Sequence, residues 1–241
     1  MELTKIQTNA QWKVFYKTAA IMALLIVVAG LVDTITSILG GEAQENSAIG
    51  IIEWFLRFQN NLFYAFSNLG VINFITLSLG IPIYLALYQA QQQEQPAFAG
   101  LAAILFFTGS AVYFASNTVF SLFALSKQYA LAVEVQKPVL EAAGRALLAQ
   151  GADLTPGTFM GLILTQTAGL LITSVILRGH VFGKWTGGIG LVGYSLTTVF
   201  FILAAFAPEH YDTAMVFAMP GGLILLSYQI MLAYKFFQLA K

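Results

Sequence analysis

Six long apolar runs constrain this chain more than any other feature, because each is long enough to cross a lipid bilayer. Hydrophobic residues make up 58% of the 241-residue sequence and charged residues only 9%. A soluble domain carries about 25% charged residues, and about 18–20 consecutive apolar residues span the hydrocarbon core. The runs predict an all-α fold: a polytopic integral membrane protein, one domain over 1–241, with membrane helices at about 18–40, 62–88, 97–123, 157–177, 185–207 and 212–236.

Residues 124–154, between the third and fourth runs, predict an amphipathic helical excursion. Pro138 is suited to the first turn of its second helix, where a proline N–H is not needed. Lys137, Glu141 and Arg145 recur every four residues on one face of that helix, opposite an apolar face. We expect this excursion to form an external cap across the six-helix bundle; the alternative is a surface helix that rests on lipid headgroups.

The distribution of lysine and arginine predicts the orientation, since cytoplasmic segments carry the excess of basic residues. With the N-terminus inside, seven lie on the cytoplasmic side: Lys5, Lys13, Lys17, Arg178, Lys184, Lys235 and Lys241. Four lie on the other side: Arg57, Lys127, Lys137 and Arg145. We therefore expect a multi-pass protein of the cell membrane with both termini in the cytoplasm.

A ribbon of polar residues leads into the second membrane run. Its members fall within an arc of roughly 120° when each residue turns the helix by 100°: Glu53, Arg57, Asn60, Asn61, Tyr64, Ser67 and Asn68. An arginine facing lipid costs at least about 2.5–3.5 kcal/mol on insertion scales. The ribbon therefore predicts a helix, extended outward over 51–61, whose polar face lines protein or a wet cavity.

Asp33 lies in the outer half of the first membrane run, at a depth similar to that of Arg57. Acidic residues within membrane segments usually pair with another group or bind a ligand. One interpretation is an Asp33–Arg57 ion pair that holds two helices together. The other is that one of the two binds a charged headgroup or substrate.

Amides are frequent in the apolar runs. Asn117 and Gln166 are typical of interhelical hydrogen bonds, which contribute about 0.6–2 kcal/mol each. The number of amides also favours a polar site. The residues that we expect to bind a ligand are Asp33, Arg57, Asn60, Asn61, Tyr64, Asn68, Asn117 and Gln166.

Several functional classes find no support in the sequence. The absence of cysteine excludes disulfides, iron–sulfur clusters and cysteine catalysis. Glu209, His210 and Asp212 cluster at one turn, but a solvated turn is the favoured interpretation, and we expect neither a metal nor a cofactor. The net charge is zero without a basic cluster, so we expect no nucleic-acid partner. Glycines at 183, 187, 190 and 193 predict a face for close helix packing.

Three segments carry a family resemblance: SNTVFSLFALSKQYALA (116–132), EAAGRALLAQG (141–151) and LRGHVFGKWTGGIGL (177–191). With the fourth membrane run they resemble an uncharacterised prokaryotic family of six-helix membrane proteins, domain of unknown function 4386. The resemblance extends from about residue 10 to 236. It implies a six-helix membrane fold and no particular activity.

The sequence leaves three functions open. The first is binding or movement of a lipid or small amphiphile in a polar outer-leaflet cavity, in which Arg57 would hold an anionic headgroup. The second is a structural or accessory subunit, in a homo-oligomer or a larger membrane complex. The third is an intramembrane enzyme, for which no catalytic residue is assigned because Asp33 and Glu53 are the only acids near the expected cavity.

Overall fold

The computed structural model describes residues 2–39 and 50–241, with side chains described for 10–36 and 50–241. Residue 40, the predicted end of the first membrane helix, lies outside these ranges. The described helices, in chain order, are α1 (Glu2–Leu39), α2 (Ile51–Asn60), α3 (Leu62–Asn68), α4 (Val71–Gln91), α5 (Pro96–Ser116), α6 (Val119–Leu131), α7 (Lys137–Gly151), α8 (Pro156–Arg178), α9 (Lys184–Phe206) and α10 (Tyr211–Leu239). A 3-10 turn, Pro208–His210, precedes α10.

Six helical segments are long and apolar enough to cross a membrane, which confirms the predicted class. They contain α1, α4, α5, α8, α9 and α10. The last three follow the predicted ranges closely, because Pro156 and Pro208 mark helix starts and neither needs a backbone N–H there.

The six membrane helices form a closed ring in chain order. Each packs against the helix before and after it in this series, and α10 packs against α1 to close the ring. Both termini lie at one end of the ring, where the Lys13 ammonium donates to the Lys241 carbonyl at 2.9 Å. We call this the terminal end and the opposite one the cap end.

Glycines let neighbouring helices of the ring approach closely, as the sequence predicts for α9. A Cβ at Gly190 would lie 2.8 Å from the Tyr228 ring, and one at Gly193 would lie 2.8 Å from Leu225. Gly187 faces the backbone of Leu177 in the same way. The glycine face of α9 therefore packs against α8 and α10, whereas Gly183 has open space around it.

The four shorter helices, α2, α3, α6 and α7, form the cap. Their aromatic and aliphatic side chains make a second apolar cluster, separate from that of the ring: Ile51, Trp54, Phe55, Phe58, Ala65, Leu69, Val119 and Leu122. α7 begins at Lys137 with Pro138 in its first turn, as predicted. The excursion is thus a helical hairpin, formed by α6 and α7, that packs against α2.

The polar ribbon is not one continuous helix face, which corrects the sequence prediction. The chain leaves the helical conformation at Asn61 (φ −146°, ψ 84°) and again at Gly70 (φ 94°). A left-handed φ strongly favours glycine. The second membrane helix therefore begins at Val71 rather than at residue 62, and α2 and α3 belong to the cap.

The predicted third membrane helix, 97–123, is also interrupted. α5 ends at Ser116, Asn117 is extended (ψ 129°), and α6 starts at Val119. The Thr118 N–H donates to the Gly151 carbonyl at 2.9 Å, so the interruption is held by the end of α7. Apolar periodicity continues across this break, which is why the sequence pattern does not reveal it.

Candidate functional site

Asp153, in the connection between α7 and α8, is held at the cap end of the ring by two side chains. Its carboxyl oxygens accept hydrogen bonds from the Tyr113 hydroxyl at 2.8 Å and from the Asn73 amide at 2.7 Å. Leu154 follows with φ 58°, a left-handed conformation that costs a non-glycine residue about 1 kcal/mol or more. The loop is thus held in a strained conformation that joins α4, α5 and the start of α8 through one carboxyl group.

Gly70 completes the surroundings of this carboxyl group. Its carbonyl accepts a bond from the Tyr113 hydroxyl at 3.2 Å. A Cβ at this position would overlap that hydroxyl and would lie 3.0 Å from Cγ of Asp153. Both its φ and its lack of a side chain therefore fit Gly70 to this site.

Asn117 connects the ring to the cap. Its amide donates to the Leu69 carbonyl at 3.0 Å, and its Oδ1 accepts from the Val119 N–H at 3.0 Å. The amide also lies 3.3 Å from the Tyr113 hydroxyl. Because Asn117 is buried with both ends of its amide occupied, it acts as an interhelical tie rather than as a group open to a ligand.

Asp33 lies on α1, which packs against α4 and α10, and its side chain is exposed. Tyr211 is the first residue of α10, so it lies at the cap end of the ring. We call Asp33, Asn73, Tyr113, Asn117, Asp153 and Tyr211 the cap-end site.

Arg57 has other neighbours than the sequence suggests. Its guanidinium forms a 3.0 Å ion pair with Glu53, one turn earlier in α2. It also lies 5.2 Å from the Trp54 ring and 5.5 Å from the Tyr64 ring, within the range of cation–π interactions. Among the described side chains, Arg57 forms an ion pair with Glu53 and none with Asp33, because residues i and i+4 lie close together on one helix. The Asp33–Arg57 pair is one of the two interpretations of the sequence.

The other polar residues of the ribbon serve the local backbone of the cap. Asn61 accepts the Tyr64 N–H at 3.1 Å and caps α3, whereas Asn68 donates to the Tyr64 carbonyl at 2.9 Å. Asn60 is exposed at the end of α2. Two helix breaks, at Asn61 and Gly70, divide these residues between α2 and α3, and their role in binding a ligand stays a prediction.

Gln166 lies well inside the ring, ten residues into α8. Its Oε1 accepts a hydrogen bond from the Thr197 hydroxyl of α9 at 2.8 Å. Ten residues of helix correspond to about 15 Å, which separates Gln166 from the start of α8 beside Asp153. It is an interhelical tie, one of the two interpretations of its sequence.

Four members of the cap-end site are not among the residues predicted to bind a ligand: Asn73, Tyr113, Asp153 and Tyr211. Asp153 follows the amphipathic excursion and precedes Pro156, a context typical of a solvated loop. The signal that could have identified it is an acidic residue directly before a membrane helix. Its partners on α4 and α5 come from distant parts of the sequence, so no local pattern joins them.

The chemistry of the cap-end site is that of carboxyl, hydroxyl and amide groups. No group of three or more histidine or acidic side chains suited to a metal ion occurs among the residues described. Asp153 accepts two hydrogen bonds and Asp33 is exposed, so the site offers carboxyl groups with acceptor oxygens at the cap end of the ring. Such an arrangement is suited to hold a positively charged or hydrogen-bond-donating group.

Comparisons with family models, curated proteins and solved structures find no match to this chain. The fold assignment therefore depends on its own helices, and the class of protein they define is an all-helical chain with six segments suited to cross a membrane. The resemblance to the six-helix family stays a prediction.

Proposed function

We propose that this chain is an integral membrane protein that binds a small amphiphilic molecule at the cap-end site through the positively charged head of that molecule. The observation that carries the proposal is the pair of acidic residues at the cap end of the ring: Asp153, anchored by Tyr113 and Asn73, and Asp33, an exposed acid within the first membrane-spanning segment. Two ionised carboxylates repel each other strongly where water is scarce, and a cation between them lowers that energy. Tyr211, the first residue of α10, adds a hydroxyl group at the same end of the ring.

The position of Asp33 favours an amphiphile over a small polar ion. Asp33 lies within a helix that is long and apolar enough to cross a membrane. A ligand whose head binds its carboxyl group would therefore extend its alkyl chain along apolar helix surface. The favourable free energy of such burial is about 25 cal/mol per Å² of apolar surface.

The contacts of Arg57 change the charge that we expect for the headgroup of the ligand. The sequence favours an anionic headgroup held by Arg57. Arg57 instead forms an ion pair with Glu53 and lies beside two aromatic rings, with only 11% of its side chain exposed. The accessible charge of the cap-end site is acidic, so a cationic amphiphile fits it better.

The direction of the chain in the membrane belongs to the same proposal. The excess of lysine and arginine near the terminal end supports cytoplasmic termini in the cell membrane. The cap-end site then opens towards the outer leaflet, where an amphiphile or membrane lipid reaches it laterally. Movement of the bound molecule across the membrane is a further step of this proposal.

Thermal unfolding in lipid nanodiscs tests the proposal with two probes of equal chain length, a decyltrimethylammonium salt and a decyl sulfate. A ligand at 100 times its Kd stabilises the folded state by about 2.7 kcal/mol. We expect the cationic probe to raise the Tm of the wild type and the anionic probe to leave it unchanged. Asp33→Asn should weaken the cationic response at least about tenfold in Kd, which is about 1.4 kcal/mol.

Glu209→Gln provides the matched control, because it removes an exposed negative charge from the turn before α10 at the same end of the ring. It should keep the response of the wild type. Equal responses to both probes, or a full response in Asp33→Asn, would contradict the proposal.

A structural role is the second candidate, and specific contacts favour it. Asn117 joins α5 to the Leu69 carbonyl, and Gln166 joins α8 to Thr197, as expected for a scaffold in which polar groups satisfy one another. A wild-type protein that responds to neither probe, and that runs as one fixed oligomer or with a partner chain in native mass spectrometry, would favour this role.

A further inference from the structure

Three tyrosines from three different membrane helices converge in the part of the ring nearer the terminal end: Tyr84 of α4, Tyr194 of α9 and Tyr228 of α10. The rings of Tyr194 and Tyr228 meet edge to face, with centroids 5.9 Å apart. Tyr84 and Tyr228 belong to the same buried cluster of the ring, and Tyr194 packs against that cluster. We call these three residues the tyrosine cluster.

The hydroxyls of two members of this cluster, Tyr84 and Tyr228, are deeply buried. Tyr84 is 4% exposed and Tyr228 is 1% exposed. Neither hydroxyl has a hydrogen-bond partner among the described residues. A buried polar group without a partner is unfavourable, and lipid offers none.

Packing fixes the rings, so the hydroxyls cannot turn elsewhere to find partners. Tyr84 stacks on Phe106 with centroids 3.9 Å apart. Tyr194 lies against Gly169, and Tyr228 lies against Gly190, at positions where any larger side chain would overlap the ring. Glycines at the two contact points therefore bring the rings to these positions.

We propose that the tyrosine cluster is an internal hydrated site that holds water, or a neutral solute of similar size, by hydrogen bonds to its hydroxyls. Phenol hydroxyls both donate and accept, so they suit a neutral ligand that does the same. Buried waters typically make about three hydrogen bonds to such otherwise unsatisfied groups. The inference does not rest on the ligand proposed for the cap-end site.

Gln91 extends the polar lining of the ring towards the terminal end. It lies seven residues after Tyr84 on the same face of α4, about 10 Å along the helix axis. Gln91 is fully buried, and both atoms of its amide group lack a hydrogen-bond partner among the described residues. The same neutral ligand chemistry would satisfy this amide.

Radiolytic hydroxyl labelling of the whole protein in nanodiscs tests for the water, because radicals formed from bound water oxidise the side chains beside it. We expect Tyr84 and Tyr228 to be labelled at least tenfold faster than Phe236. Phe236 is the dry control: it is fully buried in the same half of the ring and packs against Phe182 and Tyr16. Labelling of Tyr84 and Tyr228 as slow as that of Phe236 would overturn the inference.

A conservative substitution gives a second test, because a hydrated site and a dry site predict different changes in Tm. In a hydrated site, Tyr228→Phe removes a partner of the bound water, and the Tm should fall by about 2–4 °C. In a dry site, the same change removes an unsatisfied hydroxyl and the Tm should stay the same or rise. Tyr234→Phe, at an exposed position of α10, is the control and should not change the Tm.

Isotope labelling and native mass spectrometry distinguish bound water from a retained solute. Water that exchanges with the bulk will transfer ¹⁸O from H₂¹⁸O into the labelled tyrosines. A retained solute will instead appear in native mass spectra as a discrete adduct that Tyr228→Phe weakens. Either result supports the site, whereas a protein without label and without adduct contradicts it.

Discussion

Tyr113 and Tyr228 are equally buried tyrosines of one helical ring, but only Tyr113 has a partner for its hydroxyl. Tyr113 is 0% exposed and bonds to Asp153 and to the Gly70 carbonyl, whereas the hydroxyl of Tyr228 has no partner among the residues described. The difference follows from the backbone around them. Gly70 and Asp153 lie in connections between helices, where backbone and side-chain groups are free to bond.

The tyrosine cluster is surrounded by helices alone. Within a helix the backbone polar groups are already bonded to one another, so they offer little to a side chain from another helix. A tyrosine hydroxyl reaches beyond the carbonyls of its own helix, so at that depth it can be satisfied only by other side chains or by small molecules. The cap end of the ring is therefore tied by direct bonds, whereas the tyrosine cluster needs the bound molecule that we propose.

The largest expected effect comes from Gly70→Ala, which breaks the tied region. The substitution introduces a side chain at φ 94° and overlaps the Tyr113 hydroxyl. We expect a loss of about 3 kcal/mol or more in the free energy of unfolding, from backbone strain and the broken network together. Size-exclusion profiles and thermal unfolding measure it. Gly188→Ala, which has open space around it, should behave as wild type.

A double-mutant cycle of Tyr113→Phe and Asp153→Asn measures how strongly the tied region is coupled. Asp153→Asn places an amide N–H opposite the donor of Tyr113 or Asn73, and Tyr113→Phe removes one of the two donors to Asp153. Each single change should therefore cost about 1–3 kcal/mol. We expect a coupling energy of about 1 kcal/mol or more between the two positions. Tyr84→Phe combined with Asp153→Asn is the control pair, with additive effects within about 0.5 kcal/mol. Strong coupling in that pair would remove the distinction between the two regions.

Thr197→Val tests the one direct side-chain bond described between α8 and α9 near the middle of the ring. It removes the donor to Gln166 Oε1 and keeps the shape of the side chain. Chemical unfolding in mild detergent should show a loss of about 0.6–1.7 kcal/mol. Thr167→Val is the control, because the exposed Thr167 bonds only to the Ile163 carbonyl within its own helix. Equal effects of the two substitutions would contradict the interhelical role.

The smallest effect is expected from Glu53→Gln in the cap. Glu53 and Arg57 form an i,i+4 ion pair in which the Glu53 side chain is exposed. Such pairs contribute about 0.3–0.5 kcal/mol. High salt should reduce the difference between wild type and variant in thermal unfolding. A loss above about 2 kcal/mol would show that Arg57 depends on Glu53 far more than a surface pair allows.

The sequence predicts the membrane helices best where proline marks their ends. α8, α9 and α10 lie within a few residues of their predicted ranges because Pro156 and Pro208 interrupt the apolar pattern. The start of α4 is predicted poorly, since the polar arc runs across Asn61 and Gly70 without a change of period. Hydrophobic periodicity detects a helix face and not the single residue at which the backbone turns.

The candidate site is predicted only in part, for a related reason. Asp33 is recognisable because an acid within an apolar run is costly. Asp153 is not recognisable, because its partners Asn73 and Tyr113 are brought to it by the tertiary fold. Arg57 forms an ion pair with the nearer Glu53 rather than with the residue at matching depth. The tyrosines of the cluster resemble ordinary aromatic core residues until their hydroxyls are traced in three dimensions.

Closure of the ring by α10 has a consequence for biosynthesis. The helices are synthesised in the order in which they stand around the ring. One of the two neighbours of α1, α10, is therefore made last, and α1 can contact it only at the end of translation. Until Tyr228 arrives with α10, Tyr84 and Tyr194 face an open groove rather than a closed interior. Chains that stop before Tyr211 should therefore expose polar groups to lipid and be selected by the membrane quality-control proteases, whereas full-length chains escape.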